Sequence, residues 1–554
     1  MHKFFKGMVA AATTLALISA PTLAASASTI AWSTPQQLLE DQTIDSNIFS
    51  LNDGTTVATW NATINSHSVV QMISKPLGSN TWSSVSGVTP ADLNGSQPVF
   101  TSDAKGNMVV VWLETTSPNT LRASQKLVGH GWSAPVIIGQ GDSYSVSDIR
   151  VTTDKLGNTT AMWVATSGGS TSLETAELPA GGQWRAAQAI DANGRAFQHL
   201  QVALAPNGSI TLAYQRTDGS DYRVESVTRK FGQAWTAPVV LSAAGSSAYE
   251  PQITSDPFSN VTVVWHRTVD WWARLQVATR SAAGVWGSVS DISPDNQYMV
   301  EHVITSDGKG NLTLMWSGVS DGTQYHEVTS TKPAGGSWST PVDFSPPNVD
   351  ASTMQLSTCA NGSLLAVWLS NSGGTTSINF ATKASGQDWA QTQTLYSTTQ
   401  NLRGFKVAAL PNGAATAIWV QRPQWNHRPP MPNDTLWSTT LTRSYEVSYS
   451  VNGAGGSTPS ASTYSTDTPN TTITAPAGLS RAGFNFVGWN SKADGTGAQV
   501  KAGEAFTPID DTTLYAQWQA QLADTGANLM WQAFFALALL ATGGYLLIVR
   551  KTKP

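Results

Sequence analysis

The sequence predicts an all-β chain: an eight-bladed β-propeller of four-stranded blades, then a small β-rich module and a C-terminal hydrophobic helix. Three observations predict the propeller. An aromatic landmark recurs at Trp60, Trp112, Trp163, Tyr214, Trp265, Trp316, Trp368 and Trp419, each 51 or 52 residues after the last. A second series, Trp32, Trp82, Trp132, Trp184, Trp235, Trp286, Trp338 and Trp389, runs between them. Within each interval four short alternating runs are punctuated by Gly, Asn, Asp and Ser, with no helical period.

The unit starting at Trp132 shows the pattern. WSAPVIIG, SDIRVTTD, NTTAMWVAT and SLETAELPA are its strand candidates, parted by turns such as KLGN and SGGS. Four strands in a repeat of this length are the signature of a propeller blade rather than of a solenoid coil. The ends of the array predict closure. The last unit stops after DTLWSTTLTR with no second-series tryptophan, whereas Ile30-Ala31-Trp32-Ser33-Thr34-Pro35 near the start matches WSAP and WTAP further on. The N-terminal strand is therefore expected to complete the last blade and leave no open sheet edge. Eight blades are expected over residues 28–443, since seven would leave one repeat unplaced. Tryptophans at such fixed strand positions are read as packing between blades.

The remaining elements follow in order. Residues 1–27 read as a secretory signal peptide: His2, Lys3 and Lys6 precede an apolar centre, and Ala25-Ser26-Ala27 suits cleavage before Ser28. Residues 444–519 break the repeat. Residues 520–526 carry Leu522-Ala523-Asp524-Thr525-Gly526, residues 527–549 are uncharged and long enough to span a bilayer, and 550–554 hold Arg550, Lys551 and Lys553 as a basic cytoplasmic tail.

The pentapeptide resembles the LPxTG cell-wall sorting signal of Gram-positive surface proteins, with alanine in place of proline. The LAxTG form is similar to the variant used by class E sortases. The resemblance implies cleavage of the Thr525–Gly526 bond and transfer of the Thr525 carbonyl to an amine of a cell-wall precursor. It implies a secreted protein displayed on the cell surface, with the hydrophobic span as a transient stop. The 444–519 segment, through Arg481-Ala482-Gly483-Phe484-Asn485-Phe486-Val487-Gly488-Trp489 and Leu514-Tyr515-Ala516-Gln517-Trp518, resembles the Listeria–Bacteroides, or internalin-type B, repeat. That resemblance implies a small β-grasp-like domain serving as a stalk or interaction module, without a catalytic residue. Trp489 and Trp518 are expected to form its core.

Composition bounds the function. Charged residues make up 12 % of the chain and the net charge of −5 is spread without runs, which excludes a nucleic-acid partner needing a basic stripe. The single cysteine, Cys359, excludes an internal disulfide framework and a cysteine-based metal site. A monomer is expected.

The landmark series also supplies a register. Fifteen residues before each landmark stand Asp45, Gln97, Asp148, His199, Glu250, Glu301, Thr353 and Gly404. The first six are taken as a ring of binding groups at one mouth of the channel. Thirteen before stand Arg150, Gln201, Gln252, Gln355 and Lys406, and twelve before, every residue is apolar. Alternation turns the polar rows to the channel and the apolar row between blades. Such a ring suits a sugar, or a hard cation such as Ca²⁺ through oxygen ligands; no other cofactor and no metal-binding motif is indicated. Two insertions break the repeat and offer loop aromatics: Arg267, Asp270, Trp271 and Trp272 in the fifth unit, and Trp425 in the eighth.

These features predict an adhesin or a glycan- or protein-recognition module. The array also resembles the propellers of sialidases, which makes a surface glycoside hydrolase the alternative. Ser102-Asp103-Ala104-Lys105-Gly106 departs from their Asp-box, because Trp112 lies six residues beyond the glycine. No catalytic residue is assigned, and a structural or protein-docking module is the second alternative.

Overall fold

A computed structural model describes residues 30–521, apart from 42–44, 52, 116–118, 142–143, 192–195, 218, 220, 270–271, 295–297, 320–324, 346–349, 360–361, 424–432, 467–470, 474–477, 502, 507 and 509. The expected signal peptide, the LADTG motif, the hydrophobic span, the basic tail, Asp270, Trp271 and Trp425 lie outside the described residues, as does the side chain of Trp272. Among the described residues every regular element is a strand, and no helix is long and apolar enough to cross a membrane. The chain divides into two units.

The first unit is a β-propeller. Seven blades are self-contained antiparallel sheets of four consecutive strands, at 46–87, 95–140, 145–191, 197–240, 248–291, 298–343 and 350–398. The expectation of eight blades, the last completed by the N-terminal strand, is corrected here to seven. The last repeat supplies Asn401–Ala409, Ala415–Arg422 and the start of Asp434–Ser450, and this last strand runs on without a turn. No fourth consecutive strand follows it. Its outer edge is instead paired by Ile30–Trp32 and Gln36–Asp41, with Trp32 opposite Leu441 and Gln36 opposite Ser438.

The core lies between neighbouring sheets, as a ring of flat layers requires. Landmarks Trp112, Trp163, Tyr214, Trp265, Trp316, Trp368 and Trp419 are fully buried, and Trp60 nearly so. Each second-series tryptophan is half-buried against the cluster holding the landmark of its own repeat: Trp132 with Trp112, Trp184 with Trp163, Trp235 with Tyr214. Trp32 takes this place beside Trp419, and meets Phe380 of the preceding blade edge-on with ring centroids 5.7 Å apart. Ile48 and Trp60 of the first blade pack on Ile418, Val420 and Leu436, which joins the two ends of the array.

In four blades the turn after the inner strand is held by one motif, Asp-x-x-Gly-Asn, with Ser259 in place of the glycine in the fifth blade. Asp103 accepts the N–H groups of Lys105 and Asn107 and the side-chain amide of Asn107. Asn107 accepts in turn from Val128 N–H of the adjoining hairpin. Asp154, Asp256 and Asp307 repeat the arrangement with Asn158, Asn260 and Asn311. Gly106 sits at φ 86°, where a side chain is strained. These carboxylates are spent on their own turns. We expect Asp103→Ala to lower stability by about 1–2 kcal/mol, read as a shifted urea midpoint at unchanged m-value, because the N–H groups it caps lose their acceptor.

The second unit pairs Phe484–Asn490 with Thr512–Ala520 antiparallel, and Val447–Ser450 with Thr512–Tyr515 parallel. Trp489 is fully buried, 4.9 Å from Tyr449 and 5.3 Å from Phe486. Trp518 is half-buried against Phe486.

Candidate functional site

The channel has two ends of different chemistry. One end is lined by the turns between first and second strands and opens on a cavity of about 680 Å³ bounded by Asp154, Asn207, Asp256, Asp307 and Cys359, among others. Its aspartates are engaged in their turns, and burial pushes the Cys359 thiol up, away from its reactive form. The other end is where the inner strands begin, and Asp45, Gln97, Asp148, His199, Glu250 and Glu301 stand at or near those strand starts.

At that end the inner strands are not regular. Gln97, Asp148, His199, Glu250, Thr353 and Gly404 all adopt left-handed backbone, with φ of 52°, 52°, 52°, 51°, 55° and 61°. The ladder slips at each of them: between Ser96 and Val99, Ser147 and Arg150, Gln198 and Gln201, Tyr249 and Gln252, Ser352 and Gln355, and Arg403 and Lys406. At Glu301 the slip falls one residue earlier, between Met299 and Glu301. Each slip is a β-bulge, which re-aims a side chain away from the regular face. Simple alternation therefore does not describe this part of the strand. Gln97, His199, Glu301 and Thr353 are exposed, Asp148 and Glu250 are half-exposed, and Asp45, just before its strand, is exposed.

The neighbouring rows are structural. Gln355 donates to Phe405 C=O at 2.6 Å and accepts from Val407 N–H at 2.9 Å, bracing two inner strands that share no ladder. Glu301 accepts from Met354 N–H of the next blade at 3.2 Å. Arg150 is held partly buried, where desolvation disfavours its charge and Asp148 restores some of it. The row twelve residues before the landmarks packs between blades, as Val151, Val202 and Leu356 show. Arg267 pairs with Ala248 in the ladder and donates to the Ser246 hydroxyl.

Three titratable groups in the fifth and sixth blades stand where the other blades carry different chemistry. His302 occupies a position filled by buried Ile149, Leu200, Met354 and Phe405 in other blades. It is 8 % exposed, and its Nε2 is buried without a hydrogen-bond partner. His266 follows Trp265 on the second strand of the fifth blade. It stacks on Tyr249 at 5.3 Å and meets His302 edge-on at 6.0 Å. Burial lowers the His302 imidazole to about 3, with His266 adding to the effect, and lowers His266 to about 4, with His199 adding. The 3.9 Å contact between His266 Nδ1 and Glu250 Oε2 is thus made by a neutral ring at neutral pH.

Glu327 is the third departure. Its ladder partner is Ser317, and the matching places in the other sheets hold Val70, Leu121, Leu173, Val224, Leu275, Ile378 and Leu436, all fully buried. Glu327 is also fully buried, and neither carboxyl oxygen has a hydrogen-bond partner. Desolvation, with Glu301 adding, pushes it up to about 8, so that it is mostly protonated at neutral pH. These departures were not singled out by the register, although each is a titratable residue at a strand position where no other repeat carries one.

Among known proteins, residues 445–517 match the Listeria-Bacteroides repeat domain family. A putative membrane protein of Evansella cellulosilytica is 32 % identical over 93 residues, 16 % of this chain and 14 % of that protein. The chain thus matches only a small part of that relative's length. Among solved structures, the chain is similar to the BP39L lectin of Burkholderia pseudomallei at 14 % identity and TM-score 0.43, over 65 % of this chain and all of that one. It is similar to an ulvan lyase of a polysaccharide lyase family at 10 % identity and TM-score 0.41, over 70 % and 93 % of the two chains. It is also similar to a Hadza microbial sialidase at 14 % identity and TM-score 0.32, over 49 % and 62 %.

Proposed function

We propose that this chain is an extracellular recognition protein whose propeller binds a polar ligand, a saccharide chain best of all, at the mouth bearing Asp45, Gln97, Asp148, His199, Glu250 and Glu301. One observation carries the reading. Five non-glycine residues hold left-handed backbone at the same place in five blades, although each costs roughly 1–2 kcal/mol there. Glycine, as Gly404 shows, meets the bend without that cost. The five keep polar side chains that are exposed or half-exposed, and strain held at such a place marks a functional surface. Hydroxyl-rich ligands suit this mixture of amide, carboxylate and imidazole, whose hydrogen bonds fix orientation.

The sequence features at both ends of the chain support a place outside the cell. In this reading residues 1–27 direct export, a class E sortase joins Thr525 to a cell-wall precursor, and the Listeria–Bacteroides repeat spaces the propeller from the wall. Mass spectrometry of the C-terminal peptide from a sortase-bearing Gram-positive host should find it ending at Thr525. An intact chain through Pro554 would refute the attachment.

A glycan array probed with the full-length chain tests the binding. Saturable binding to a defined glycan class is expected, weakened about tenfold or more in His199→Ala and Asp148→Ala. Absence of binding would count against a saccharide ligand. Turnover of aryl-glycosides that vanishes in Glu250→Gln or Glu301→Gln would replace binding by hydrolysis, which requires two placed carboxyl groups.

A further inference from the structure

We propose that Glu250, His266 and His302 form a site for a divalent transition-metal ion, with zinc the best fit. The three come from three strands, Ala248–Ser255 and Val261–Val269 of one blade and Tyr298–Ser306 of the next. One donor atom of each lies within 4.8 Å of the other two, and they are the one such trio of His, Cys, Asp or Glu among the described residues. Zinc bonds of about 2.0–2.2 Å in a tetrahedral arrangement place donors about 3.3–3.6 Å apart, within reach of small side-chain rotations. One pair, His266 Nδ1 and Glu250 Oε2, is already at 3.9 Å.

Three features favour an ion here over a packing accident. His302 is more than nine-tenths buried, and its Nε2 has no hydrogen-bond partner, so a bond to metal would satisfy an atom the fold leaves unpaired. The two imidazoles meet edge-on with ring centroids 6.0 Å apart, which brings nitrogen donors of two blades to one place beside the Glu250 carboxylate. The His266 ring is also held from outside: it stacks on Tyr249, which packs on Tyr222 at 5.5 Å. Fixed ring orientation is what a ligating histidine needs. Two nitrogens and one carboxylate suit zinc rather than calcium, which takes six or more oxygens. Three protein donors leave a fourth position, and the half-exposed Glu250 side chain places the site within reach of the mouth. An ion there would offer a Lewis-acidic contact to whatever the mouth binds, or take exposed His199 as a fourth ligand.

The site does not rest on the saccharide reading, and its test contains no glycan. The full-length chain, stripped with EDTA, is titrated with zinc chloride by calorimetry at neutral pH, and cobalt chloride is added to a second sample. One ion per chain is expected, with a raised thermal midpoint and cobalt d–d bands of tetrahedral intensity. Glu250→Ala, at a half-exposed side chain, should weaken zinc about tenfold or more and abolish the cobalt bands while the apo midpoint holds, and His266→Ala, at a mostly buried ring, should do the same to zinc and cobalt with a lowered apo midpoint. His302→Gln is checked beside them, with circular dichroism to show that it folds. No heat, no shift and no bands would overturn the site. So would binding that Glu250→Ala and His266→Ala leave unchanged, because that ion would sit elsewhere.

Discussion

Deleting residues 28–41 is expected to destabilise the propeller by about 5 kcal/mol or more and to make the chain self-associate. The deletion removes Trp32, whose kind costs about 3–5 kcal/mol to truncate in a core. It also strips Asp434–Ser450 of the two strands on its outer edge. Ser33 alone makes four bonds across that seam. Its N–H donates to Thr440 C=O at 2.9 Å, its carbonyl accepts from Thr439 Oγ1 at 2.6 Å, and its hydroxyl meets Thr440 N–H and Thr439 Oγ1, both at 3.1 Å. An unpaired strand edge is a template for another chain. Urea unfolding and size-exclusion chromatography at several concentrations check the result. A synthetic peptide of residues 28–41 should restore the midpoint, as strand addition does elsewhere. An unchanged midpoint in a monomeric deletion variant would show that the seam is dispensable.

Glu327→Leu is expected to stabilise the chain, and by an amount that depends on pH. The carboxyl is raised to about 8 in the fold against 4.5 when unfolded, so between these values the native state holds a proton that the unfolded state has released. Stability from this group is therefore greatest below pH 4.5 and is lost as pH rises towards 8. The loss relative to an unperturbed carboxyl is about 1 kcal/mol at pH 5 and about 3 kcal/mol at pH 7. Leucine, the kind of residue that fills this place in the sister sheets, carries no such penalty. Urea midpoints of both proteins at pH 5 and pH 7 should diverge as pH rises. Parallel curves would mean that Glu327 finds a partner on ionising.

How much of this was legible in the chain follows from what repeats. The landmark spacing located the blades, and the half-buried tryptophans behaved as one series because every repeat builds the same layer. The blade count was read from the repeats alone, which do not show that the strand after Ala415–Arg422 runs on without a turn into the next unit. The bulges were not legible: Gln97, Asp148, His199, Glu250 and Thr353 share no side-chain chemistry that marks left-handed backbone, and only Gly404 hints at it. His266, His302 and Glu327 were missed for a different reason. The register was searched for polar columns, whereas these are polar residues in columns that are mostly or wholly apolar elsewhere. Their signal was in the exception.

The left-handed bulge has a consequence for how such a protein changes over generations. Because each bent residue points out of the ladder, its side chain is uncoupled from the inter-blade core that fixes stability. Amide, acid, imidazole, hydroxyl and bare backbone already occupy the same socket in different blades at nearly the same φ. Under the proposed function, ligand preference would therefore drift one blade at a time, by single codon changes, without repacking a strand. The scaffold is inherited as a frame, and the chemistry of its rim is a short word spelled around it.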